Sequence, residues 1–338
     1  MRVLFIDPVC QDQYRLSDLG RRPLGGTEAT LLRVAAGLAS RGHQVSISQK
    51  SRLRPERDGA ISFRPFQYRK PWTGPKPDAV VCLRSPKVMR WLRREFPTQS
   101  LFLWLHCFPG TRRQNIGALA RRHRFTVLAV SHSHAAFIRQ RCGVNAKVVY
   151  NPLQPDLDTY RGEPKDLDSL IFYSSPHKGL AEVLEKFSAL RVSHPCLKLK
   201  VANPGYLACE KINRPGVVDL GALPHSEVLK EVASSLCVFY PQTTFAETFG
   251  LIFAEANAVG TAVLTHDLGS AREILSSGDQ IVDCRDPGSI AETISRWRSQ
   301  PPSVSTPNPD FSLTRVLESW ESLLTALPYS RREELLAS

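Results

Sequence analysis

Short apolar runs rich in β-branched residues alternate with amphipathic stretches along the whole chain, and this alternation is the strongest constraint on its fold. Val3–Ile6, Val45–Ser48, Ala79–Leu83, Leu101–Leu105, Thr126–Val130 and Lys147–Tyr150 read as buried parallel strands, with helical segments such as Glu28–Ser40 and Ser133–Cys142 between them. Strand–helix alternation of this kind predicts an open parallel sheet wound on both faces. The rhythm breaks at Asn151–Asp168, which carries three prolines and many charges and reads as a linker. It then restarts with strand candidates at Ser169–Tyr173, Leu197–Ala202, Val217–Leu220, Cys237–Tyr240, Thr261–Thr265 and Gln280–Val282. Helices are predicted over Gly179–Val192, Ser226–Ser235, Ala254–Val259 and Ser289–Gln300, and a last one from Phe311 to Leu327.

The expected organisation is therefore two doubly wound α/β domains in tandem. An N-terminal domain covers 1–150, the linker 151–168 and a second domain 169–310, while a helical segment, 311–338, packs back on the first domain. A chain of 338 residues accommodates two such cores. Doubly wound sheets bind ligands at the carboxyl ends of their strands, so two facing domains predict a cleft between them. No apolar run approaches the roughly 18 residues that span a bilayer, and Met1–Asp7 reads as a first strand because an acid ends it at once. Eight cysteines without a Cys-x-x-Cys pair or zinc spacing suggest reduced, mostly buried thiols. The expected location is cytoplasmic, peripheral at the inner face of the membrane.

Charge separates the two halves. Residues 1–150 hold 27 Lys and Arg against 8 acids, whereas the remainder holds 17 against 24. Such asymmetry predicts an acidic partner for the first half: anionic lipid, a phosphorylated acceptor or nucleic acid. The bland alternative is a merely solvated basic face. The basic residues are dispersed and accompany no familiar RNA or DNA motif, so nucleic acid is not expected.

Two motifs carry chemistry. Leu24-Gly25-Gly26-Thr27-Glu28 precedes a helix, where glycines let backbone amides approach a phosphate and the helix terminus adds partial positive charge. Read alone, it is equally a simple turn. In Phe245-Ala246-Glu247-Thr248-Phe249-Gly250-Leu251-Ile252-Phe253-Ala254-Glu255-Ala256, two carboxylates stand eight positions apart across a strand–loop–helix junction. Carboxylates suit the vicinal hydroxyls of a ribose or hexose, and the amides at Phe249, Gly250 and Leu251 suit hydroxyls or a phosphate. Spacing alone leaves open two surface glutamates that cap a helix.

Glu-x-Phe-Gly-x-x-x-x-Glu-Ala, together with Gly-Gly-x-Glu near the start, resembles the family 4 (group 1) retaining glycosyltransferases of GT-B fold, and the resemblance runs in order along nearly the whole chain. It implies that Glu247 holds hydroxyls of the donor sugar and that Glu255 binds the ribose. It also implies that Phe249, Gly250 and Leu251 meet the sugar and distal phosphate, and that Gly25 and Gly26 face the diphosphate from the other domain. In Tyr173-Ser174-Ser175-Pro176-His177-Lys178-Gly179-Leu180, Lys178 matches the family's lysine, well placed to neutralise a leaving diphosphate. The usual preceding arginine is missing, with Phe172, Tyr173 and Ser174 near its place; the loop is similar to a subgroup carrying Ser-Ser-Pro-x-Arg/Lys-Gly-Leu. The serine hydroxyls or a first-domain arginine are candidate substitutes.

His106, just past an apolar strand, stands where the family often has a histidine, which implies a contact with the donor sugar near the reaction centre. Asn151 resembles the family's Asn-Gly-Val, with Pro152 in place of glycine, and is read as hinge and cleft wall. His132 and His134 lack an evident third metal ligand; Ser131 or Ser133 is the expected helix cap. Asp156-Leu157-Asp158 and Asp166-Leu167-Asp168 are read as linker acids rather than a metal site. The predicted function is retaining, metal-independent transfer of a sugar from a nucleotide sugar, UDP- or GDP-linked, to a glycan or lipid-linked acceptor, with no cofactor. The alternatives are a non-catalytic sugar-nucleotide-binding protein of the same fold, or another GT-B enzyme such as a phosphorylase or epimerase.

Overall fold

A computed structural model of the chain describes residues 1–110, 115–203 and 211–326. It divides into two compact units. The first holds Met1–Ser17, Thr27–Pro152 and the chain from Leu313; the second holds Asp18–Gly26 and Leu153–Ser312.

The first unit is built on an eight-stranded sheet of β1 (Arg2–Asp7), β2 (Gln44–Gln49), β3 (Glu56–Asp58), β4 (Ile61–Pro65), β5 (Ala79–Leu83), β6 (Ser100–Trp104), β7 (Phe125–Ala129) and β8 (Lys147–Val148). Their order is β3-β4-β2-β1-β5-β6-β7-β8, and every pairing is parallel except β3 with β4. All five residues of β5 are buried, as a parallel strand covered on both faces requires. The helices are α1 (Gly26–Ser40), α2 (Met89–Glu95), α3 (Ile116–His123), α4 (His132–Cys142) and, after the whole second unit, α10 (Leu313–Thr325). Trp320 of α10 is fully buried, with its ring 4.8 Å from Trp104 and 5.7 Å from Phe5. Arg41, just past α1, pairs with Glu321 at 2.6 Å.

The second unit has a parallel sheet of β9 (Asp166–Phe172), β10 (Lys198–Asn203), β11 (Val217–Ala222), β12 (Ser235–Tyr240) and β13 (Ala262–Thr265), ordered β11-β10-β9-β12-β13. Its helices are α5 (Leu180–Ser193), α6 (His225–Ser234), α7 (Leu251–Ala258), α8 (Ala271–Ile274) and α9 (Pro287–Ser299). The chain leaves β9 toward β10 on one side and later enters β12 on the other. The loops after β9 and β12 thus sit at the switch point where such sheets bind ligands.

Several expectations need correction. No strand is predicted between Ser48 and Ala79, yet Glu56–Asp58 and Ile61–Pro65 pair there as β3 and β4. Helices α2 and α3 fill two of the intervals between predicted strands for which no particular helix is named from the sequence. Asp166 and Asp168 belong to β9 rather than to a linker, and Asp168 pairs with Arg298 of α9. Helix α7 starts at Leu251, ahead of the expected Ala254, and Gln280–Val282 supplies only a single bridge, Thr265 to Ile281. Leu327 and the rest of the expected terminal segment, like Cys209, lie outside the described residues; the seven other cysteines are free thiols.

Candidate active site

Lys178 and Glu247 come together at the switch point of the second unit. Lys178 closes a 3-10 turn, Pro176–Lys178, just after β9, and Glu247 lies in the loop after β12. Lys178 Nζ lies 2.9 Å from Glu247 Oε1 and 3.0 Å from Oε2. The carboxylate is 6% exposed, and its other side-chain partner is the Tyr240 hydroxyl, which donates to Oε1 at 3.1 Å. Burial, and next the Glu247 charge, push the Tyr240 hydroxyl pKa well up, so Tyr240 stays a donor. Lys178 Nζ also sits 5.2 Å from the centre of the Phe245 ring. Burial and the neighbouring Lys178 charge hold the His177 pKa below its usual value.

The loop that carries Glu247 is tied at three points. Gln242, itself buried, accepts from the Thr244 and Phe245 amides at 3.0 and 2.6 Å and donates to the Phe245 carbonyl at 2.7 Å. Glu182 of α5 accepts from the Thr243 amide at 2.9 Å and from the Thr243 and Thr244 hydroxyls at 2.7 and 3.3 Å. On the far side the Ser270 amide donates to the Glu247 carbonyl at 3.0 Å, and its hydroxyl to the Phe249 carbonyl at 2.8 Å. Gly269, at φ +65°, allows this close approach: a Cβ there would stand 2.4 Å from the Glu247 carbonyl oxygen.

Glu255 lies on the fifth residue of α7, 4% exposed, with His225 Nε2 3.2 Å from Oε1. Gly250 precedes the helix with φ +76°, a left-handed conformation. Leu251 opens the first turn, in which the Phe253 amide donates to the Gly250 carbonyl at 2.9 Å, while the amides before it are those a helix start leaves without an i−4 acceptor. Phe249 is buried against Phe311. A cavity of about 160 Å³ opens at the carboxyl ends of β9, β10 and β11, lined by Ser174, Pro176, Leu180, Asn203, Lys211 and Asp219 among others. It adjoins the Lys178 turn. None of the residues near the missing arginine carries its charge: Phe172 is buried, Tyr173 donates to the Ile252 carbonyl at 2.5 Å, and Ser174 hydrogen-bonds the Tyr240 hydroxyl. Gly25 and Gly26 group with the second unit, and a Cβ on Gly26 would come 3.2 Å from Leu251 Cδ1.

In the first unit, His106 follows β6 with its ring 4.4 Å from that of Trp104. Burial, then the charges of Arg84 and His134, hold its pKa well below the usual histidine value, so it is neutral near pH 7. His134 is buried in α4, with Ser131 as its N-cap at 3.0 Å. Its Nδ1 accepts from the Val130 amide at 3.4 Å, which leaves Nε2 to donate to the Cys107 carbonyl at 3.2 Å. His132 is exposed. Asn151 is buried one residue before the first unit's Pro152 boundary, and its Oδ1 has no hydrogen-bond partner among the described residues. Glu28 of the Gly-Gly motif pairs with Arg84 at 3.0 Å, and Arg84 pairs with the buried Asp7 at 2.7 Å, where Tyr14 also donates. Among the described residues no group of three or more His, Cys, Asp or Glu is arranged to hold a metal ion.

Sequence reasoning missed Tyr240, Gln242, Glu182 and Ser270 at the switch point of the second unit, and separately the Arg84 pairs with Asp7 and Glu28 in the first. Tyr240 hides in an apolar strand run, and the others give no local signal; only the tertiary fold of each unit brings them to their partners.

Residues 164–307 match the family model described as Glycosyl transferases group 1, which covers most of the second unit and both carboxylates. Among particular relatives, the phosphatidyl-myo-inositol mannosyltransferase of Mycolicibacterium smegmatis is 30% identical over 133 residues, 37% of this chain and 33% of that protein. The match thus spans about a third of the length of that relative. Solved structures similar over the whole chain include sucrose-phosphate synthase from Thermosynechococcus elongatus, with a TM-score of 0.64, 15% identity and full coverage of both chains. AviGT4, a glycosyltransferase involved in avilamycin A biosynthesis, gives 0.62 at 17% identity, covering 96% of this chain and 98% of its own. At these identities the likeness is one of fold, and with the two parallel sheets it gives a GT-B fold of two Rossmann-like units.

Proposed function

We propose that the chain is a retaining glycosyltransferase that moves a sugar from a nucleoside-diphosphate donor, UDP- or GDP-linked, to a glycan or lipid-linked acceptor. The observation that carries this reading is the Lys178–Glu247–Tyr240 group at the switch point, inside the segment matched to group 1 glycosyltransferases. Glu255 receives the ribose hydroxyls, and the cavity beside Pro176 and Asp219 receives the base. Lys178 and the amides of Phe249, Gly250 and Leu251 meet the diphosphate, assisted by Gly25 and Gly26. Glu247 holds hydroxyls of the sugar, and His106, as a neutral imidazole, adds a further sugar hydrogen bond.

Charge develops on the departing diphosphate, so a cation and helix amides held in place beforehand favour the transition state over the bound donor. The bond from the anomeric carbon to the phosphate oxygen breaks while the acceptor oxygen bonds the same face, and the acceptor proton passes to the departing phosphate. Glu247 is then an orienting carboxylate rather than a nucleophile. A trapped glycosyl–Glu247 adduct would overturn that assignment. The curated relative is named for mannosyl transfer and for phosphatidyl-myo-inositol, a lipid, which supports a lipid-borne acceptor here. The empty place of the family's arginine supports one second reading, a protein that binds the donor without turnover.

A thermal-shift screen of the purified chain against UDP, GDP, ADP, CMP and their sugars tests the donor site. One nucleoside diphosphate is expected to raise the melting temperature, and Glu255→Ala to abolish most of that rise. A folded protein that no nucleotide stabilises would contradict the proposal.

A further inference from the structure

We infer that the arginine-rich face formed by α2, α3 and the loop after β4 docks on an anionic lipid bilayer. Between residues 59 and 155 the chain carries 17 Lys and Arg and only two acids, Asp78 and Glu95. Both acids are engaged by backbone: Asp78 accepts from the Arg2 amide at 2.7 Å and Glu95 from the Trp72 amide at 2.6 Å. Arg84 is paired with Asp7 and Glu28, and the two acids of the region balance only two of its other cations, so most of its positive charge is left uncompensated. Arg90 and Arg94 of α2, Arg122 of α3 and Arg124 just after it are exposed, and none makes an ion pair among the described residues.

Side-chain contacts join α2 to α3 and to the loop after β4. Arg93 staples the carboxyl ends of the two helices, donating to the His123 carbonyl at 2.8 Å and the Arg124 carbonyl at 2.7 Å. His123 lies among Arg122, Arg90, Arg93 and Arg94; partial burial and then these charges keep its pKa below the usual value. Trp91 extends the face to the loop, its ring 6.0 Å from Tyr68 and 5.7 Å from Phe66. Tyr68 is 47% exposed, and Arg69 covers its ring at 5.2 Å.

Amphipathic aromatics beside uncompensated arginines suit the headgroup region, where rings sit at the interface and guanidinium groups meet phosphates. A single-stranded nucleic acid would need free ring faces for stacking. These rings are committed: Trp91 packs edge-on with Phe66 and Tyr68, and Trp72 lies between Arg64 and Phe96 with its Nε1 bonded to the Pro75 carbonyl. The surface rests on the reading of a membrane-presented acceptor, and its binding is measured without turnover.

Sedimentation with vesicles of phosphatidylcholine alone, or mixed with phosphatidylserine, tests it with three proteins: wild type, Arg90→Gln/Arg94→Gln/Arg122→Gln, and a control losing equal charge in the second unit, Lys230→Gln/Arg285→Gln/Arg296→Gln. Wild type and control should bind only the anionic vesicles and release in high salt. The α2/α3 variant should lose roughly a hundredfold in partitioning, at about fivefold per arginine. The nucleotide-induced thermal shift should persist in that variant, which separates failure of the surface from failure of the donor site. Equal binding to both vesicle types, equal loss in variant and control, or displacement from anionic vesicles by a mixed-sequence oligonucleotide that binds more tightly would each overturn the inference.

Discussion

Removing either partner of the Lys178–Glu247 pair should destabilise the second unit by unequal amounts, and the inequality follows from geometry. The lysine side chain is 26% exposed and the carboxylate side chain 7%. Lys178→Met strands a buried carboxylate whose remaining side-chain hydrogen bond comes from Tyr240. Breaking a buried pair by deleting one partner costs about 3–5 kcal/mol, and the partial exposure of Lys178, which lets water take its place, puts this case near the low end, about 3 kcal/mol. For a unit of this size that is a fall of about 6–12 °C in Tm. Glu247→Gln keeps an acceptor for Tyr240 and leaves an ammonium group that still reaches water, so its cost should be about 1 kcal/mol. The double variant should be more stable than Lys178→Met alone, with a coupling of about 2 kcal/mol in a double-mutant cycle. Urea titration followed by circular dichroism, on the two singles and the double, gives all the terms. Additive single costs, or Glu247→Gln as damaging as Lys178→Met, would refute the argument that Glu247 is the group needing compensation.

Other predictions concern how the site is held. Gly250→Ala should cost about 1–2 kcal/mol from the left-handed backbone alone, with a further clash because its Cβ would fall 2.6 Å from the Phe253 ring; donor-induced stabilisation should weaken with it. Glu182→Gln should raise the donor KM more than it lowers kcat, because its carboxylate is taken up in anchoring the loop, through Thr243 and Thr244, and in its bond to Lys186; an unchanged KM would remove it from the site's support. His134, held near 4 by burial against the opposing effect of its bond to the Cys107 carbonyl, gives a pH signature. Because its folded pKa lies below the unfolded value of about 6.5, the unfolded chain takes up the proton first and stability falls as pH drops from about 6.5 toward 4. The loss should be about 3 kcal/mol at its end, and in His134→Gln that portion of the urea-midpoint profile against pH should flatten.

Both sheets were legible because parallel strands buried on two faces leave unbroken apolar runs: Ala79–Leu83 is the same five residues in sequence and structure. The edge pair β3–β4 was not, since Glu56-Arg57-Asp58 is polar and short and is a strand only because β4 lies beside it. Helices α2 and α3 were hidden by arginines on one face and by lengths of seven and eight residues, too short for a clear period. The two carboxylates and Lys178 were readable as motifs. Their support was not: Tyr240 looks like another core aromatic of β12, and Glu182, 61 residues from the Thr243 amide it holds, gives no sequence signal. The placement of Gly25 and Gly26 with the second unit is likewise a tertiary fact, since the helix that opens at Gly26 belongs otherwise to the first.

The central claim, sugar transfer with retention through the Lys178–Glu247 site, is tested most directly by nuclear magnetic resonance with methanol as surrogate acceptor. The donor would be the sugar nucleotide that shifts the melting temperature most. The account predicts slow release of the nucleoside diphosphate and a methyl glycoside with the donor's anomeric configuration, both lost in Lys178→Met under conditions where the variant remains folded. A methyl glycoside of inverted configuration, or a donor that binds wild-type protein and is never consumed, would contradict it.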